Sequence, residues 1–316
     1  MTKNWHRYSI LSVLFVLLLL EVGPRLLGLV SFPIYELDPD YKYVVKPNQR
    51  GAFLNYNDWV INGARMPIAT EFTSSEHPNA LLIGNSIVFD GNPYKQPEKL
   101  TPLLQHALGD KLRIWPIAAG GWTQENEIAY LKKYPAPLNN ADYIVWEYMS
   151  GGLSGPTPWA GEYTWPTQKP VIASWYVFWR YLYPQLLSMM SVHARPDTQA
   201  VELPVNGPAD RSNAKVFQEF LEGVKRHSDH KIRGFIWLYP SRSELMTAHA
   251  GMEWLPERAT IEDIARESGL RITDLSKTAE WTENLYRPDG VHPTPEGNHV
   301  LAKFLAQEIS RDMPLN

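Results

Sequence analysis

The sequence contains no cysteine, no long run of charge of one sign, no internal repeat and no low-complexity tract. Missing thiols exclude a cysteine nucleophile, a thiolate metal site and a disulfide framework. A cysteine-free chain suits an oxidising compartment without requiring one. Thirty basic residues stand against 34 acidic ones, for a formal net charge of -4. Such a balance offers no basic stripe to neutralise phosphates, so no nucleic-acid partner is expected. No motif calls for a metal, a nucleotide or another cofactor. His227 and His230, three apart among polar neighbours, read as a solvated helix end rather than a metal site, and His299 as a structural residue of the last helix.

Apolar side chains and aromatics are plentiful. The 316 residues are 44% apolar, enough for one substantial domain with an insertion. Twelve Trp and sixteen Tyr suit a core, a sugar-binding surface and a membrane boundary equally well.

Lys3, His6 and Arg7 precede the apolar run Tyr8–Leu20, and apolar character resumes from Leu26 to Phe32. About 25 residues in all are enough for a tilted membrane helix. Glu21 and Arg25 are spaced to pair on one helix face near its outer end. Basic residues before the run, acidic Glu36, Asp38 and Asp40 after it, and no small-x-small cleavage site predict a retained signal anchor over residues 1–33. The bulk of the chain is then extracytoplasmic, periplasmic or extracellular, with the membrane as partner.

Residues 34–78, rich in Pro, Asn and Tyr, read as a lead-in that wraps the domain at 79–316. From Asn79 short apolar runs alternate with amphipathic segments. Strands are expected at Ala80–Ile83, Leu112–Pro116, Tyr143–Glu147, Phe235–Tyr239 and Leu270–Leu275. Helices are expected at Glu98–Leu108, from Thr123 through Lys133, at Val216–His227 and Glu257–Ser268, and after the Thr294-Pro295 start signal. This alternation predicts an α/β three-layer sandwich around a mostly parallel five-stranded sheet, with its site beyond the carboxyl ends of the strands. An aromatic-rich insertion is placed at 151–212.

Ser86 follows the first of these strands in Leu82-Ile83-Gly84-Asn85-Ser86. A serine at a strand-to-helix turn presents its hydroxyl at the sheet's carboxyl end, where its own N–H helps to hold an oxyanion. Near the C-terminus stands Asp289-Gly290-Val291-His292-Pro293, just before the final helix. Two residues between Asp and His let a short turn set the carboxylate against the imidazole, which can then take the serine proton.

These two blocks resemble those of the SGNH (GDSL-type) hydrolase superfamily, whose core is flavodoxin-like. The resemblance covers short islands over roughly residues 40–310, including Val60-Ile61-Asn62-Gly63-Ala64-Arg65, similar to the lead-in of membrane-anchored bacterial members. It implies Ser86 as nucleophile and Asp289 and His292 as the base pair. In Ala118-Ala119-Gly120-Gly121-Trp122 it implies Gly121 as an oxyanion donor, with Gly120 as runner-up. The usual Asp beside the nucleophile is Asn85 here. The third block, Gly-x-Asn-Asp, is missing from Val145-Trp146-Glu147-Tyr148-Met149-Ser150-Gly151-Gly152, leaving Ser150 or the N–H of Gly151 as its replacement. The Trp-Glu ending is similar to the alginate O-acetyltransferase-like branch. Asn85, Trp122, Glu147, Trp159 and Trp165 are candidate substrate contacts.

The expected activity is serine esterase or O-acyltransferase chemistry, acetyl by this likeness, on an exported glycan or other acylated small molecule, with envelope polysaccharide-modification proteins as partners. Its alternatives are a non-catalytic glycan- or partner-binding protein of the same fold and a lipase- or lysophospholipase-like enzyme.

Overall fold

A computed structural model describes residues 3–73, 77–189, 211–227 and 233–313. The N-terminal run forms one helix, α1 (Lys3–Leu26), whose apolar part Tyr8–Leu26 is unburied and long enough to cross a membrane. Its last turn is built into the rest of the chain. The Asn55 side chain caps the Leu26 carbonyl, and Leu54 N–H donates to Gly28.

The lead-in is two antiparallel hairpins, β1 (Tyr35–Asp38) with β2 (Lys42–Val45) and β3 (Gln49–Phe53) with β4 (Asn57–Ile61). Tyr41, Tyr43, Val44, Val45 and Ile61 are buried in the same core as the sheet. The 34–78 segment is therefore a wall of the domain.

The central sheet holds β5 (Asn79–Gly84), β6 (Arg113–Ala118), β7 (Tyr143–Tyr148), β8 (Arg233–Leu238) and β9 (Arg271–Asp274). All five are parallel, in the order β6-β5-β7-β8-β9. Every residue of β5 and β7 is buried, as a sheet covered on both faces requires. Alternation along β7 defines the two faces. Tyr143 reaches Asp312 on α11 (Pro295–Asp312), whereas Trp146 packs edge-on to Phe217 of α8 (Arg211–His227). α3 (Leu100–Leu108) packs with α11, while α4 (Gln124–Lys133) and α10 (Arg258–Ser268) pack with α8. The strand order reverses about β5, so the switch-point crevice lies at its carboxyl end.

Between β7 and α8, the insertion carries α6 (Ala173–Val177), a π-helical turn Phe178–Leu182 and α7 (Tyr183–Met189). Residues 190–210 of the 151–212 stretch, and residues 228–230 of the His227–His230 pair, lie outside the described residues. His299 is exposed on α11.

Candidate active site

Ser86 opens the one-turn helix α2 (Ser86–Phe89) directly beyond β5. The turn before it is tightly bonded. Asn85 N–H donates to Glu147 Oε2 at 3.0 Å, and the Asn85 side-chain oxygen accepts from Ile87 N–H at 3.1 Å. The Ser86 N–H has no acceptor among the described residues. A helix N-terminus with a free N–H favours developing negative charge.

His292 sits in a turn held from several sides. Its carbonyl accepts from Arg287 N–H, the Val291 carbonyl from the Tyr239 hydroxyl (2.6 Å) and the Pro293 carbonyl from the Tyr94 hydroxyl (2.9 Å). This turn brings His292 Nε2 to 2.9 Å from Ser86 Oγ. Asp289 Oδ2 lies 3.3 Å from Nδ1 of the same ring, while its Oδ1 accepts from the N–H groups of Val291 and His292 at 2.9 Å. Burial pushes the Asp289 carboxyl up, but those two N–H groups and the charges of His292 and Arg287 outweigh it and hold its pKa below the ordinary value. A carboxylate kept ionised orients the ring with its proton on Nδ1 and leaves Nε2 free to accept from the serine.

No family model and no curated protein matches the sequence. Among solved structures the chain is similar to a carbohydrate acetylesterase family member from Sinorhizobium meliloti, at 15% identity and a TM-score of 0.41, covering 74% of this chain and 98% of that one. It is also similar to a lipase/acylhydrolase from Enterococcus faecalis, at 14% identity and a TM-score of 0.43, covering 74% and 96% of the two chains. A psychrotrophic esterase from Pseudoalteromonas sp. gives 10% identity and a TM-score of 0.41, with coverage of 75% and 98%.

The loop after β6 stands beside the serine. Gly120 lines the same cleft as Ser86 and His292, whereas Gly121 does not. The Tyr43 hydroxyl donates to the Gly120 carbonyl at 2.7 Å, which fixes the Gly120–Gly121 peptide and aims the Gly121 N–H away from Tyr43. Gly121 itself has a φ of +77°, and a Cβ there would stand 3.2 Å from both Trp165 and Tyr43. Neither replacement for the third block reaches the cleft. Gly151 N–H is taken by the Glu257 carboxylate at 2.6 Å, and Ser150 Oγ is buried without a partner among the described residues.

The expected substrate contacts lie elsewhere too. Trp122 is buried among Tyr41 and Tyr130 and donates to the Tyr43 carbonyl. Trp165 is stacked on Tyr43 with ring centroids 4.0 Å apart, and half-buried Trp159 donates to its carbonyl. Asn85 caps α2, its amide nitrogen against the Met149 sulfur. Large aromatics distributed through a sequence mostly fill a core, and Trp146, Trp237 and Trp281 do so here as well.

Glu147 supports the Ser86 turn from below. It is buried, and burial pushes its pKa well above the usual carboxylate range. A Cβ on Gly84 would fall 2.2 Å from Glu147 Oε2 and 2.6 Å from a Val88 methyl. Gly84→Ala is therefore expected to displace the Ser86 turn and cost about 3 kcal/mol by overpacking. Thermal melting together with fluorophosphonate labelling of Ser86 checks this, and an unchanged melt would refute it.

The cleft itself has a volume of about 560 Å³. From Ser86 and His292 it runs past Arg287 and Lys99 to Phe32, Trp59, Tyr176 and Tyr181. Sequence patterning does not single out these four aromatics, because one belongs to the N-terminal segment, one to the lead-in and two to the insertion, and only the folded chain brings them together.

Proposed function

We propose that the chain is a membrane-anchored serine esterase or O-acyltransferase. The observation that carries this reading is the 2.9 Å contact between Ser86 Oγ and His292 Nε2, with Asp289 on the far side of the ring. In the cycle, Nε2 removes the hydroxyl proton as Oγ attacks an ester carbonyl. The oxyanion rests on the N–H of Ser86 and that of Gly121, or of Gly120. Collapse expels the alkoxide, which takes the proton back from the imidazolium and leaves an acyl-serine. Water or a sugar hydroxyl then gives its proton to Nε2 and attacks the acyl carbon, and Ser86 Oγ leaves with that proton as acid or a new ester is released.

The exported address is supported by basic residues before the α1 run and acidic residues after it. An acetyl ester of an envelope glycan fits a cleft of this size lined by aromatic rings and by Lys99, Arg180 and Arg287.

One observation favours a second, non-catalytic reading: the Gly151 N–H is already bonded to Glu257, leaving the oxyanion site a donor short. The full-length protein in detergent, treated with a fluorophosphonate and assayed on nitrophenyl acetate with and without a glycan acceptor, separates the two. Labelling at Ser86 with turnover supports the enzyme, and acceptor acetylation identifies the transferase. Folded protein that neither labels nor turns over supports the binding protein.

A further inference from the structure

The insertion helix presents two different faces. Ile172, Trp175, Trp179, Leu182 and Leu186 recur at steps of three and four, and all are exposed, at 57%, 58%, 40%, 50% and 48%. Val171, just before them, is 89% exposed. The other face, with Tyr176, Arg180 and Tyr181, lines the Ser86 cleft, where Tyr176 stacks on Phe32 at 5.1 Å. An exposed stripe of five large apolar residues on one helix is uncommon in a protein surrounded by water.

The position of the stripe identifies what covers it. The Glu21 carboxylate accepts from Ala173 N–H at 2.9 Å, and Arg25 donates to the carbonyls of Pro170 and Val171 at 3.2 and 2.9 Å. These contacts pin the start of the stripe to the last turns of the bare apolar helix α1. Ser31, Phe32 and Pro33, which follow α1 within a few residues, form part of the cleft wall. The stripe, the end of the span and the mouth of the cleft thus share one level, and Trp and Tyr are the residues favoured at a bilayer boundary.

We propose that residues 171–186 rest in the lipid headgroup boundary as a second membrane contact, seating the cleft on the bilayer so that the acyl ester reaching Ser86 is a membrane-resident amphiphile. This rests on reading α1 as a span. The occupant of the stripe is lipid because the stripe continues the span's own apolar surface.

The test uses full-length protein in phosphatidylcholine–phosphatidylglycerol nanodiscs. The absence of native cysteine permits single spin labels through Ile172→Cys, Leu182→Cys and Leu186→Cys, with Met246→Cys, exposed on α9 (Arg242–His249), as the control. Oxygen should relax the first three labels more than a water-soluble nickel chelate does, and the order should reverse at position 246. Nickel access equal to the control would put the stripe in water, and exclusion of both probes would cover it with protein; either overturns the proposal. The depth readout is independent of catalysis, so it stands apart from the outcome at Ser86. For delivery, a Trp175→Ser/Trp179→Ser double variant should lose about tenfold in turnover of an acetyl ester carried on a long-chain amphiphile in vesicles. It should keep its rate on soluble nitrophenyl acetate, and equal losses on both substrates would refute delivery from the bilayer.

Discussion

Alanine at Ser86 is expected to lower ester turnover by a factor on the order of 10⁴ to 10⁶, with little change in thermal melting. The hydroxyl is half-buried, its partner is His292 Nε2 at 2.9 Å, and the fold around it does not depend on it. His292→Ala should fall as far, because the two groups act as one device. Asp289→Asn is the more informative variant. Its oxygen can still accept from the N–H groups of Val291 and His292, so the turn survives. The new amide, however, places a donor against Nδ1, which moves the ring proton to Nε2 and closes it to the serine hydroxyl. A loss of about 10⁴ in turnover with the melt intact is expected, by analogy with the wrong-tautomer effect in serine proteases. Wild-type rates for all three variants would remove the assignment.

The second large effect is on stability and depends on pH. Glu127, on α4, is buried and accepts from the Trp146 indole N–H. Burial pushes its pKa up to about 8, against that hydrogen bond, and Glu147 is shifted in the same direction. An acid whose pKa is raised by folding binds its proton more tightly in the folded state. Its stabilisation is fully present below the unfolded value of 4.5 and is lost as pH rises through about 8. For Glu127 this amounts to roughly 3 to 5 kcal/mol. The melting temperature should fall clearly between about pH 4.5 and pH 8, and Glu127→Gln should flatten the fall. Parallel curves for the two proteins would contradict it.

The parts legible in the sequence are those set by local rules. Gly84-Asn85-Ser86 after an apolar run and Asp289-x-x-His292 before Thr294-Pro295 locate both halves of the site, because strand ends, caps and tight turns are written in neighbouring residues. The five sheet strands fall where the apolar runs are, with shifts of one or two residues at their ends. The lead-in hairpins are hidden for a physical reason. The β3–β4 turn uses positive φ at Leu54 and Asn55, without the Asn-Gly pair that marks such turns, and the flanking strands are polar and half-buried. The cleft wall is hidden more deeply still, since Phe32, Trp59 and Tyr176 meet only through tertiary packing. Glu147 illustrates the same limit. Its position beside the Ser86 loop suggests a substrate contact, yet β-strand alternation turns it inward beneath Gly84.

On the proposed reading of α1 as a membrane anchor for an esterase, its join to the domain has a kinetic consequence. The span's end is clamped by Asn55 on one side and, through Glu21 and Arg25, by residues 170–173 on the other, so no slack separates anchor from cleft. A flexible tether would let the cleft sweep a volume that grows with tether length. Held rigidly, it stays at a fixed height and explores its surroundings only by lateral diffusion. Encounter then becomes a search in two dimensions, governed by how many ester molecules lie in each patch of surface rather than by their concentration in solution.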